Sequence, residues 1–154
     1  MDDVSFEDQL TALKAACATF ASPFTGEAMG EWRVRIPLPE EVLGPDMCPF
    51  IGIFPFPGTA QASNVTVWGL PIDINYFHEG VPDDLEYQMP LKLYDVPRLL
   101  FRHLVADTAL MATTYGMQTG EPAFSAGSLA WHAQMYAGAT LSTIFKTKEN
   151  TQWA

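Results

Sequence analysis

Cations are scarce in this chain. Only 8 of its 154 residues are Lys or Arg, against 18 Asp or Glu, leaving a formal net charge of −10. Sequence-independent binding to nucleic acid draws its affinity from neutralised phosphates, so that class of function is disfavoured. Long apolar runs are missing too, and no stretch approaches the roughly 20 residues of a membrane-spanning helix. The start, Met1-Asp2-Asp3, offers no cationic segment ahead of an apolar one, so no secretory signal is expected. Cysteine is limited to Cys17 and Cys48, which form no Cys-x-x-Cys pair. One disulfide is conceivable, but a chain of this size folds without a staple, and two buried, inert thiols are the expectation.

Signatures of catalysis are equally thin. There is no Gly-x-Gly-x-x-Gly, phosphate loop, Gly-x-Ser-x-Gly or His-Glu-x-x-His. His103 and Asp107 stand four apart, a spacing that suits two metal ligands on one helix face, yet no second pair accompanies them. A packed histidine is the plainer reading. His78, with Asp73 or Glu79, and His132 form the remaining acid–base candidates. Asp83, Asp84 and Glu86 lack the spacing and glycine of a calcium loop. No catalytic residue, metal or cofactor is therefore expected.

What the chain does contain is apolar substance: 48% of its residues are hydrophobic, enough for one α+β domain across residues 1–154 with loose ends at 1–4 and 148–154. Phe6, Leu10, Leu13, Cys17 and Phe20 recur at helical spacing over residues 5–21, with Ser5 as N-cap. Trp32, Val34 and Ile36 alternate with Arg33 and Arg35, which predicts a strand. Phe50 to Phe54 reads as a short buried or edge strand between prolines. After a loop at 58–64, Val65–Trp68 and Ile72–Phe77 read as strands with a kink or bulge at Gly69–Pro71. Residues 79–90 read as an exposed acidic loop.

Asp95 and Pro97 then open a second helix over 96–110, striped by Val96, Leu99, Leu100, Leu104 and Leu110. Leu99, Leu100 and Leu104 are expected to share a core with Phe6, Leu10, Leu13 and Phe20. Thr113–Tyr115 favours a strand, and 120–127 a loop. Residues 128–137 and 139–147 are extended, Gly138 either interrupting one long strand or turning a hairpin. The fold class is thus α+β: a mixed or antiparallel sheet against two amphipathic helices, with proline-rich extended arms.

Charge is uneven along the chain. Residues 1–90 hold 3 basic and 14 acidic side chains, net −11, whereas 91–154 hold 5 and 4, net +1. Ten of the 12 prolines also fall in residues 1–90, beside Phe50, Phe54, Phe56, Trp68 and Phe77. Rigid aromatic segments of this kind suit contact arms and sheet-edge pairing, and equally a small core with tight loops.

The element order resembles the tail terminator proteins of long-tailed bacteriophages. Leu99–Leu110 running into Met111-Ala112-Thr113-Thr114-Tyr115-Gly116 is similar to that family's second helix, turn and strand. Trp131–Ala137 followed by Gly138–Phe145 is similar to its closing strand pair. The resemblance spans residues 5–147 and rests on order and length. It implies a structural virion protein at the tail–neck junction, made in the host cytoplasm: a hexameric homo-oligomer ring that caps the tail-tube protein, stops its polymerisation and meets a neck or head-completion protein. DNA would pass through its pore without specific binding, and no membrane is involved. Arg33, Arg35, Asp73, Glu79, Asp83, Asp84 and Glu86 are then the subunit-interface or pore candidates. Two other readings stand beside it: a small acidic cytoplasmic binding or inhibitor module that masks a basic partner protein, and an enzyme or ligand-binding α+β domain using His78, Asp73 and His132.

Overall fold

A computed structural model describes residues 5–37, 44–61, 65–81, 88–114, 122–131 and 133–150. Helix α1 runs Phe6–Thr19, and the Ser5 hydroxyl accepts from the Asp8 amide at 3.1 Å, as the sequence predicts. Leu13, Ala16 and Cys17 are buried on one side of it, while Phe6 is half-buried at its start. A turn carrying Gly26 and Gly30, both at positive φ, brings the chain to the sheet. The buried Ser22 hydroxyl fastens this turn to the Tyr76 phenol at 2.6 Å.

The strands are β1 (Val34–Arg35), β2 (Phe50–Pro55), β3 (Thr59–Gln61), β4 (Val65–Gly80), β5 (Ala123–Trp131) and β6 (Gln134–Asn150). Their order is β1-β2-β4-β6-β5, with β3 also pairing β4. β1 lies parallel to β2 and every other pair is antiparallel, so the sheet is mixed. The fold is α+β, as expected. Between β4 and β5 come α2 (Val96–Ala106) and α3 (Thr108–Met111).

Several expected boundaries move. The first strand shrinks to two residues because Glu31–Arg33 form a 3-10 turn, which turns Trp32 outward while Val34 is buried. The supposed loop at 58–64 contains β3. The two strands expected around Gly69–Pro71 are one strand of 16 residues, and its register slips at Phe77/Glu79 instead. Pro71 is tolerated because it sits in the gap between the stretches paired by β2 and β3, where no ladder partner needs its amide. Its carbonyl accepts from the Phe56 amide at 2.9 Å.

The second helix stops at Ala106, where Asp107 turns extended and caps the short α3 through the Leu110 amide at 2.9 Å. Asp95 holds the N-cap position of α2 without a side-chain capping bond. Ala112 and Thr113 form a turn where a strand is expected from Thr113, Tyr115 lies outside the described residues, and β5 begins at Ala123, inside the expected loop. Gly138 neither ends nor turns a strand: it lies within β6, opposite Phe77 and Gly127. A Cβ there would collide with the Tyr76 carbonyl oxygen and come within 2.7 Å of Leu129 Cδ1. Strand β6 also continues through Asn150, into the expected loose end.

The helices cover one face of the sheet. Leu13, Cys17 and Phe20 meet Leu93, Val96, Leu100 and Leu104 over Ile51, Ile53, Ile72, Ile74, Ala139 and Leu141, with Leu10 and Leu99 at the margin. His103 joins the helices: its Nε2 lies 2.9 Å from the Ala16 carbonyl and 2.8 Å from the Thr19 hydroxyl, and its ring meets Phe20 edge-on.

On the other face a separate cluster forms at one end, where Trp131 closes on Phe50, Phe54 and Phe77 and Tyr136 packs beside them. Next to it that face carries a short half-buried polar strip. Ser142 donates to Asp73 at 2.7 Å, and Thr140 to Asn75 at 2.8 Å.

Candidate interaction surface

Helix α2 begins after a 3-10 turn at Leu91–Tyr94 and buries Val96, Pro97, Leu100 and Leu104. Residues four apart on a helix share a face, so Arg98 and Arg102 project together from its exposed side. Strand β5 ends the order of the sheet, with β6 as its partner among the described residues. Phe124 stands opposite Leu141 and therefore points to the helix-covered face. The chain thereby shapes a groove of about 520 Å³. Leu141 lines it together with Phe124 and Pro122 from the β5 side and Tyr94, Phe101 and the two arginines from the helix side.

This groove is apolar and open. Phe124 is 63% exposed, Tyr94 53% and nearby Leu91 82%. Scattered exposed apolar residues are ordinary, but Phe124 and Tyr94 line the same groove, which makes it a candidate contact surface. Arg98 Nη2 sits 3.5 Å from Asp95 Oδ1, with both side chains more than half exposed. Such a pair contributes little to stability, so the guanidinium can exchange partners at small cost.

The residues singled out in the sequence do not converge. Arg33 rides over the Trp32 ring at 4.3 Å, and its buried Nε has no hydrogen-bond partner among the described residues. Arg35, at the end of β1, donates to the Glu31 carbonyl at 3.4 Å. Both therefore lie at the opposite edge of the sheet from β5. Asp73 belongs to the polar strip. Glu79 is exposed, 3.9 Å from His78 Nε2. Asp83, Asp84, Glu86 and His132 lie outside the described residues.

His78 is stacked on Phe24 with ring centroids 3.9 Å apart, and burial lowers its pKa despite the opposing charge of Glu79. Cys17 and Cys48 are free thiols. Burial, reinforced by Asp107, pushes Cys17 up to about 12; burial with Glu79 and Asp46 does the same for Cys48. Both are thus protonated, poor nucleophiles at neutral pH. Among the described residues no group of three or more His, Cys, Asp or Glu is placed to hold a metal ion, and no helix is long and apolar enough to cross a membrane.

Sequence reasoning passed over Phe124, Tyr94, Leu91, Arg98 and Arg102. The two arginines four apart were a legible signal. The first half of β5 was not, because Ala123-Phe124-Ser125-Ala126-Gly127 is rich in small residues of low strand propensity, whereas Ser128–Trp131 falls in the stretch read as extended. No protein-family model matches the chain, and no curated protein matches it.

Proposed function

We propose that this chain is a structural assembly subunit of the tail-terminator kind: a ring, hexameric in that reading, that caps a phage tail tube, stops its polymerisation and presents a surface to the neck. The observation that carries this reading is the one-sided cover of the sheet. Among the described residues both long helices lie on one face, and the polar strip on the other would meet a neighbour. A ring needs two different patches of one subunit to meet. Asp73 on the strip and Arg33 and Arg35 at the β1 edge supply opposite charges on two such patches. Exposed Glu79 would then face the pore or the neighbour, where acidity keeps passing DNA from sticking.

Light scattering coupled to size exclusion tests this reading, together with a tube-polymerisation assay. Concentration-dependent rings that stop tube growth are expected. Arg33→Glu with Arg35→Glu should weaken the ring, and Asp73→Lys in the same chain should restore part of it. A monomer at every concentration that leaves tube growth unaffected would remove the proposal.

A further inference from the structure

We propose that the β5 edge and the groove beside α2 bind an extended segment of a partner protein, added to the sheet as a further strand. Its apolar side chains would enter the groove at alternate positions, with an acidic side chain next on the same face. This surface is separate from the polar strip and the β1 edge, and the proposal stands whether or not the chain closes into a ring.

Three features select this occupant. First, a terminal strand presents outward-facing backbone N–H and C=O groups, which favour pairing with another extended chain. Second, in an added strand every second side chain points to the same face as Phe124, toward Leu141 and Phe101. Extended-peptide recognition works through these two parts: the backbone ladder supplies affinity, and pockets for alternate side chains supply specificity.

Third, the charge is local and of the unusual sign. The chain carries a net −10, yet residues 91–106 hold Lys92, Arg98 and Arg102 against Asp95 alone. Arg98 and Arg102 line the groove itself, with Asp95 as the one acid beside them. An acidic side chain arriving there meets two guanidiniums, whereas a basic one meets repulsion from both. Arg98 would exchange its exposed contact with Asp95 for the incoming carboxylate.

The probe is a capped peptide of about seven residues, which spans roughly 23 Å as a strand. It carries valine at its second and fourth positions, glutamate at the sixth and threonine elsewhere, and its control carries lysine at the sixth. Binding is read by fluorescence anisotropy and by hydrogen exchange. The glutamate peptide should bind and protect amides within β5, and the lysine peptide should bind about fivefold more weakly, the upper worth of one exposed ion pair. Phe124→Glu should abolish binding, and Arg102→Glu should remove the preference for glutamate. Both side chains are exposed, so an unchanged melting temperature certifies the fold of each variant.

Peptide binding without protection of β5, or equal binding of the two peptides, would overturn the proposal. So would a self-associated species that Phe124→Glu dissolves and the peptide displaces, because a second copy would then own the groove.

Discussion

Trp131, at the end of β5, is 5% exposed and touches three phenylalanine rings, whereas Phe124, near the start of the same strand, is 63% exposed and borders an open groove. Both are aromatic residues on a strand of otherwise mostly small side chains, and they point to opposite faces. What separates them is the surroundings each face provides. The β5–β6 hairpin carries Trp131 across the sheet onto Phe50, Phe54 and Phe77, so its apolar area is sealed within the chain. Phe124 is left beside α2, whose outer side ends in arginines rather than in another apolar layer. One end of β5 is therefore sealed in the core, and the other is left exposed beside the groove.

The largest break in this comparison should come from Trp131→Ala. Removing a packed tryptophan leaves a void among Phe50, Phe54 and Phe77 and should cost about 3–5 kcal/mol, read by urea denaturation. A loss below about 1 kcal/mol would show that the hairpin does not seal this end. Gly138→Ala should follow. The added methyl meets a backbone oxygen of β4, which cannot rotate away, and the Leu129 side chain. Overpacking of this kind typically costs about 1–3 kcal/mol. A neutral result would mean that β6 lies farther from β4 at this point than the described register allows.

These positions also show how far the sequence could be read. The two helices, the Ser5 cap and the core pairing of Leu13 with Leu100 and Leu104 follow from local spacing, and local spacing survives folding. The continuity of β4 through Gly69 and Pro71 does not, because it depends on where β2 ends and β3 begins. Gly138 reads in isolation as a strand interruption or a hairpin turn, since only the approach of the Tyr76 carbonyl and Leu129 explains a glycine inside a strand. The expectation that helix 96–110 is continuous failed at Asp107, whose side chain competes for backbone amides and caps a new turn. The groove was the least legible feature: its two walls are far apart in sequence, and one of them is a small-residue strand.

Phe124→Ser should then sharpen the contrast from the other side. A side chain already largely exposed contributes little to the folded state, so stability should stay within about 0.5 kcal/mol of the parent. The same substitution should abolish peptide capture. A stability loss comparable to that of Trp131→Ala would place Phe124 in the core and close the groove as a binding surface.

The smallest effect is a pH dependence at the sealed end. The register slip after Phe77 sets His78 against Phe24, with Glu79 as the charged neighbour at 3.9 Å. Burial holds the His78 pKa below its ordinary value of 6.5, and Glu79 offsets this only in part. In the window below 6.5 the unfolded chain takes up the proton and the folded chain resists it, so stability falls as pH drops. Once both states are protonated, no further change comes from this residue. His78→Phe retains an aromatic ring against Phe24 and removes the titration. Melting temperatures of parent and variant, compared between pH 7 and pH 5, should therefore diverge, with the parent losing more. Other acids titrate in both proteins and cancel in the difference. Parallel curves would mean that His78 is hydrated, and that the turn bearing Phe24 does not cover this end of the sheet.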